Sequence, residues 1–514
     1  MGKSGQIWAK WDDERRNNAL ILLFEKDAQK RTTSSSNMVT QFGTHLEGWR
    51  KMREQLRIEH FVLTRDPIKA LNELKAIVSN WSRGEAKLLE IGSLMLGTNT
   101  ATSDVDIIYI VPQKTTKSEA MDKFFGTFQC DLSQRKCEDN SLYCLLCLNE
   151  KVAFLQKLSK AYIPLIKTHF LGFDFDILFV SVPTIKALPA EEPMAQNEVM
   201  ELIRKLANQT DPDEKMIKSL AGHITNDHIK RLLGKKMLKK FRKLVVILKF
   251  WAKSNFIYGT PFGFFNGISL SVMAAKVSLL YPNCSVPFLL NRFLLTFATW
   301  NWPIPLRLVE YLPNEFQKFS WTPKDEEKKR NSTLLMPIIT PGCLEQNAMF
   351  HMNESTFKIV QKSMREAFIK IQSPNENNWS QLFAPPKFTK KYKHYAAICC
   401  VVGNLIHLAQ FCDFVERKIR LQLLHFDTVT DGVNFTHIMT ENDREFKCPN
   451  SILVPVLKQN RNFSLHKAWL LGIEMEEKTA EQKQNSPSEN KEDAFNRFRW
   501  FRNMSKRRNW KISE

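Results

Sequence analysis

Residues 92–106 read GSLMLGTNTATSDVD and run on into IIYIV at 107–111. A Gly-Ser turn, Gly92 and Ser93, follows the mostly apolar residues 88–91. Eleven residues past Ser93, the first of two aspartates, Asp104 and Asp106, stands at i with its partner at i+2. From 105 to 111 every residue except that second carboxylate is β-branched or aromatic, the composition of a buried strand. Along a strand, i and i+2 side chains share a face, so Asp104 and Asp106 project together. Two carboxylates held that close repel unless a cation neutralises them, and Mg²⁺ takes oxygen ligands of this kind. The stretch points to a metal-dependent phosphoryl-transfer site on an α/β sheet. The plain alternative is a solvated DxD loop, and the rest of the chain has to separate the two.

A second acidic pair lies downstream. Residues 162–182 read YIPLIKTHFLGFDFDILFVSV, which gives one strand, a hairpin turn at Gly172 and a second strand from Phe173 to Val182. Asp174 and Asp176 share one face of that second strand, with Phe173, Phe175 and Ile177 on the other. An acid in so apolar a strand needs a partner, so a third carboxylate is available to the same site. Spacing alone does not choose between Asp174 and Asp176. Upstream of the opening stretch, residues 65–81 place Ile68, Leu71, Leu74, Ile77 and Val78 at helical period, with Asp66 and Pro67 as N-cap and first-turn residues.

The totals narrow the class. A chain of 514 residues has room for two to four domains. Its formal charge of +20 favours polyanions, either nucleic acid or an acidic membrane surface. The first residues show no apolar core of a secretory signal, and no uninterrupted apolar run reaches the ~18 residues of a membrane span, so a soluble intracellular protein is expected. Ten cysteines in no framework spacing suit free thiols. Cys144 and Cys147 form a CxxC with Cys130 and Cys137 upstream, but SLYCLLCLNE is apolar, and the pair reads as a buried helix face rather than zinc ligands.

Beyond 182, residues 185–215 are polar and read as a linker or insertion. Residues 230–243 carry eight Lys or Arg before LVVILKFWAKSNFIY, which is either a solvated helical face or an anion-facing one. The apolar run 263–280, with Gly267, reads as a buried helix, and residues 216–325 as mainly helical. After an exposed charged connection at 324–332, strand and helix patterns alternate in an outline suited to a small α+β domain. The ending FNRFRWFRNMSKRRNW interleaves aromatic and basic residues, as in RNA contact or in a last amphipathic helix with its basic side outward; the helix is the reading preferred here.

Taken together, GS-x9-DxDIIYIVP, IPLIKTHFLGFDFDILFVSV, LKFWAKSNFIYGTPFGFFNGISLSVMAAKVSLLYPN, FATWNWPIP, LLMPIITPGCLEQNAMF, KFTKKYKHY and FVERKIR resemble the eukaryotic nuclear poly(A) polymerases, in the family's order, over roughly residues 60–475. Gly-Ser with DxD alone is common to a wide polymerase-beta-like nucleotidyltransferase superfamily; MPIITP and KYKHY are far more specific. The resemblance implies a multidomain α+β protein. The polar composition of residues 1–55 predicts an N-terminal arm, partly disordered, and the resemblance makes 56–205 a nucleotidyltransferase α/β head. Residues 206–335 form a helical middle domain and 336–514 an RRM-like RNA-binding domain.

By matched position, Asp104, Asp106 and Asp176 correspond to the family's metal carboxylates, and the family pattern selects Asp176 over Asp174. Gly92 and Ser93 correspond to the turn that holds the ATP phosphates. Lys249 and Tyr258 fall on the nucleotide-contacting Lys and Tyr, and Gly267 and Ile268 fall where a Gly-Val pair lines the adenine site. The implied activity is template-independent addition of AMP from ATP to RNA 3′ ends with two Mg²⁺ or Mn²⁺ ions, in mRNA 3′-end processing. The implied setting is a monomer in the nucleus, working with RNA and 3′-end processing factors and not with a membrane. Two departures lie in the nucleotide pocket: Ala221-Gly222-His223-Ile224 replaces the family's Asn-Gly-Cys-Arg, and Asn266 replaces a glycine. They raise one rival reading, a terminal transferase of different nucleotide preference; a second, a catalytically silent RNA-binding paralogue, is one the intact carboxylates argue against.

Overall fold

A computed structural model of the chain describes residues 67–182, 194–310, 315–324, 334–372, 378–402, 432–440 and 464–475, with short gaps in the first span and scattered positions between 412 and 427. The expected N-terminal arm, the basic-aromatic ending and residues 448–457 lie outside the described residues. The chain divides into two compact units. The first holds residues 1–258, 265–352 and 361–384, and the second holds 259–264, 353–360 and 385–514.

The first unit opens with helix α1 (Pro67–Trp81), whose buried Leu71, Leu74 and Val78 sit at helical spacing. Strand β1 (Lys87–Glu90) follows, then the short helix α2 (Gly92–Leu96) and strand β2 (Val105–Pro112). Helices α3 (Lys117–Phe125) and α4 (Leu142–Leu148) precede strands β3 (Val152–Leu158), β4 (Leu165–Phe170) and β5 (Phe173–Val182). The five strands form one mixed sheet in the order β1-β2-β5-β4-β3, in which only β2 and β5 run parallel. Strands β4 and β5 form the expected hairpin. Its two turn residues, Leu171 and Gly172, both have positive φ (52° and 85°), as a two-residue turn matched to strand twist requires.

Along β2 and β5 the residues beyond the carboxylates are buried on both faces: Ile107, Ile108, Ile110, Phe179, Val180 and Val182 all lie in one core with α1 and α3. Tyr109 and Phe124 pack at 5.0 Å between ring centroids. The sheet is therefore rigid where it meets the core, and its acid-bearing end is the part left open.

Residues 196–207 do not behave as a linker. They form helix α5 (Gln196–Ala207), and Val199, Leu202, Ile203 and Leu206 enter the core. Their i, i+3, i+4, i+7 spacing was present beneath the polar composition. Helix α6 (Glu214–Ser254) is broken at Gly234, where φ 58° and ψ 173° are not helical. Helix α7 (Gly267–Leu280) is buried almost all round, as its uniform apolarity dictates, and α8 (Val286–Ala298) packs beside it. Helix α9 (Glu354–Gln372) starts in the second unit and ends in the first, which also holds α10 (Asn378–Phe383).

The second unit contains α11 (Phe388–Lys391) and an antiparallel sheet of β6 (His394–Val402), β8 (Ser464–Met475) and β7 (Val433–Ile438), in that order. Here the KYKHY segment is structural. The Tyr392 hydroxyl and buried His437 Nδ1 are 2.6 Å apart, the Tyr395 hydroxyl donates to the Phe388 carbonyl, and Phe388 packs edge-on to both Tyr392 and His437. The Tyr392 ring lies over Gly472 of β8, where any Cβ would come within 2.0 Å of it. The architecture as a whole is mixed α+β. No helix among the described residues is long and apolar enough to cross a membrane.

Candidate active site

Strand register brings the acids together. β2 and β5 are parallel neighbours, and Asp106 is paired directly with Asp176. Residues in register on neighbouring strands point to the same face, so the two carboxylates emerge side by side. Asp104, just ahead of β2, joins them two residues earlier on that face. Val105 and Phe175, the pair one step back, are buried on the opposite side. Asp174 is the acid left out: it is largely exposed and meets His169 Nδ1 at 2.7 Å.

The Gly-Ser turn closes against the same carboxylate. Gly92 has φ +66°, and a Cβ there would come within 2.5 Å of Asp106 Oδ2. Glycine is required twice over, by the backbone conformation and by the carboxylate that occupies the side-chain space. Ser93 follows in the first turn of α2, its carbonyl accepting from the Thr98 N–H at 2.9 Å.

The long helix α6 braces this loop along its length. His223 Nδ1 lies 2.8 Å from the Glu90 carbonyl, and Asn226 Nδ2 donates to the Gly92 carbonyl at 3.2 Å. Arg242 Nε donates to the Leu96 carbonyl at the end of α2. Lys249 Nζ donates to the Thr98 carbonyl at 3.0 Å, and Lys253 Nζ to the Thr102 hydroxyl at 2.8 Å. The basic run of residues 230–243 thus divides its work. Arg231, Lys235, Lys236, Lys239 and Lys243 are exposed, whereas Lys240 binds the carbonyls of Asn283 and Cys284 and Arg242 holds α2.

Lys249, Tyr258 and Gly267 converge. A Cβ on Gly267 would lie 3.5 Å from the Tyr258 hydroxyl and 3.7 Å from Lys249 Nζ. Ile268, next along α7, is half-buried. Of the two departures in the pocket, Ala221 is buried in the core. Asn266 is the N-cap of α7: its side chain accepts from the Ser269 N–H at 2.9 Å and donates to the Ala348 carbonyl at 3.0 Å.

The electrostatics follow from this crowding. Burial, then the charges of Asp176 and Asp104, push Asp106 up to about 7. Asp104 is exposed as a residue, but protein around its carboxyl and the neighbouring Asp176 raise it as well. Burial pulls Lys249 down to about 8, helped by Lys253 and opposed by Asp106. Burial and the two aspartates push Tyr258 up to about 12, so its hydroxyl stays protonated.

One further residue belongs to the cluster. Lys167 Nζ bonds Asp176 Oδ2 at 2.9 Å and also lowers Asp104 and Asp106. The hairpin register held that signal: a two-residue turn at 171–172 pairs 170 with 173 and therefore 167 with 176. The oxygen-rich donor set of Asp104, Asp106 and Asp176 suits a hard divalent cation. Among the described residues, though, no three carboxylates have oxygens all within 4.8 Å of one another, and Asp176 is engaged by Lys167. Two ions ~3.5–4 Å apart would spread the ligand set and need no such single trio.

Residues 240–385 match the model of the poly(A) polymerase central domain. Nuclear poly(A) polymerase 1 of Arabidopsis thaliana is 27% identical over 337 residues, 65% of this chain and 43% of its own length. Poly(A) polymerase PAPalpha of Candida albicans is 26% identical over 389 residues, 74% of this chain and 62% of its own. The matched region is thus less than two thirds of either relative. A solved structure of Cid1 with its short product ApU covers 66% of this chain at 16% identity with a TM-score of 0.42, a likeness too distant to bear on function. Residues 240–385 thus carry the likeness to the poly(A) polymerase central domain, and about two thirds to three quarters of the chain is similar to eukaryotic poly(A) polymerases.

Proposed function

We propose that the chain is a template-independent poly(A) polymerase that adds AMP from ATP to RNA 3′ ends and releases pyrophosphate. The carrying observation is the in-register pair Asp106 and Asp176, with Asp104 beside them and Lys249 and Tyr258 near the same carboxylates. Asp104, Asp106 and Asp176 would hold two Mg²⁺ or Mn²⁺ ions, whose charge, when bound, activates the 3′-hydroxyl and offsets the triphosphate. The protein positions and neutralises. Ser93 and the backbone N–H groups of its turn face phosphate oxygens, Lys249 adds positive charge, and the protonated Tyr258 hydroxyl donates a hydrogen bond. Gly267 and Ile268 border the base. Charge stabilisation and positioning carry most of the rate in transfers of this kind.

The reading extends to the domain plan. The sheet of β1 to β5 belongs to a catalytic head at 56–205, helices α6 to α8 to a middle domain at 206–335, and the second sheet to an RRM-like RNA-binding domain at 336–514. The nuclear names of the relatives support work in the nucleus, and mRNA 3′-end processing, with its protein factors and a monomeric enzyme, is the setting we propose. The assay is primer extension on a short oligo(A) with ATP and Mn²⁺. Asp106→Ala should abolish tailing, and undiminished tailing by that variant overturns the site. Competing the four NTPs tests for a transferase of other preference, and RNA binding without incorporation would mark a silent paralogue.

A further inference from the structure

Four of the ten cysteines meet at one place away from the carboxylates in sequence. Helix α4 presents Cys144 and Cys147 at i and i+3, which puts them on one helix face, and both are fully buried. The preceding connection, residues 126–141, brings Cys130 and Cys137 onto that face. Cys130 Sγ lies 2.9 Å from Cys144 Sγ, and Cys137 touches the thiols of both Cys130 and Cys147. The sulfurs of Cys130, Cys137 and Cys144 all lie within 4.8 Å of one another, and all four cysteines are free thiols.

The connection is built to hold them there. Asp139 accepts from the N–H groups of Thr127 and Ser141, closing the neck of the loop. Ser141 caps α4 by accepting from the Cys144 N–H. Arg135, between the two loop cysteines, donates to the carbonyls of Cys147, Asn149 and Val152 and ties the loop to the end of α4 and the start of β3. Each of these bonds orders polar backbone around a cluster of soft ligands that gain little from one another as neutral thiols.

We propose that Cys130, Cys137, Cys144 and Cys147 bind a single structural Zn²⁺ ion. A closed site of four cysteines is the ligand set of structural zinc, and Zn–S bonds of ~2.3 Å put tetrahedral sulfurs roughly 3.8 Å apart. The three sulfurs already within 4.8 Å fit that spacing, whereas a cluster of several irons spreads its thiolates wider. A disulfide would use two of the four and leave the others unexplained. On binding, the thiols release their protons to solvent, and the ion staples the excursion between α3 and β3. The sequence separates Cys130, Cys137, Cys144 and Cys147 by six, six and two residues, which hid the set: only the CxxC end looks like a zinc motif, and its apolar surroundings read as core. Both descriptions of that end hold, since the pair is buried and the loop supplies the other two ligands.

The test uses the full chain, purified without chelator. Elemental analysis should find about one zinc per chain, and reconstitution with Co²⁺ should give the thiolate-to-metal charge-transfer absorption of a tetrathiolate site. Four thiols should resist alkylation until a chelator is added. Cys137→Ser and Cys147→Ser should each lower the zinc content at least tenfold, whereas Asp106→Ala should keep it, which separates this site from the carboxylates. A wild type that is purified without zinc and takes up neither Zn²⁺ nor Co²⁺ on reconstitution overturns the proposal. So does an intact mass reporting a disulfide among the four. Because neither readout depends on nucleotide transfer, the outcome is independent of the activity reading.

Discussion

Asp106 bears the largest electrostatic penalty in the site, and its pH dependence has a definite sign. Its carboxyl is raised from 3.8 to about 7 by burial and by Asp176 and Asp104. The folded state therefore binds a proton that the unfolded state has lost between those values. The stability tied to that proton is fully present below about pH 4 and is lost as pH rises through 7. Asp106→Asn should thus gain melting temperature over the metal-free wild type between pH 5 and 8, with the gain levelling off above about 7; a pH-independent difference would refute the assignment. Lys167 offsets the same crowding through Asp176. Lys167→Met should lower the metal-free melting temperature, and added Mn²⁺ should then raise it more than in the wild type, because the competing cation is gone. Gly92→Ala puts a methyl against Asp106 Oδ2 at positive φ. It should cost about 1–3 kcal/mol in a denaturant melt and slow extension on the order of 10²-fold by displacing the carboxylate.

At the scale of elements, α6 decides more than its composition suggests. One helix, bent at Gly234, places His223, Asn226, Arg242, Lys249 and Lys253 along the β1–β2 connection. The basic run read ambiguously because residue type does not say which lysine or arginine caps a carbonyl and which faces water. The start of α7 offers a clean separation of roles. Asn266 caps the helix, so Asn266→Ala should cost about 1 kcal/mol of stability while leaving the choice among four competing NTPs unchanged. A shift in nucleotide choice would return Asn266 to the pocket. The β4–β5 hairpin was the element most legible beforehand, since turn chemistry sets register. Helix α5 was obscured because its polar residues outnumber the five that bury, and four of those at the right spacing are enough.

At the scale of the molecule, the charge of +20 predicts strong salt dependence. If single-stranded RNA engages about four basic residues, its affinity should fall roughly fifty-fold between ~50 and ~200 mM salt, with a log–log slope near −3. A flat response in a filter-binding titration would show that the surplus charge does not serve RNA. The sequence by itself determined the strands that carry Asp106 and Asp176, the place of Asp104 just before one of them, the glycine turn upstream and the apolar helix α7, because each rests on local spacing that backbone geometry reads directly. Tertiary structure alone decided that Asp106 faces Asp176 in register, that Gly92 makes room for the Asp106 carboxylate and that four scattered cysteines share one place. Those are contacts between residues distant in the chain. Their partners are chosen by strand pairing and core packing, which no local period encodes.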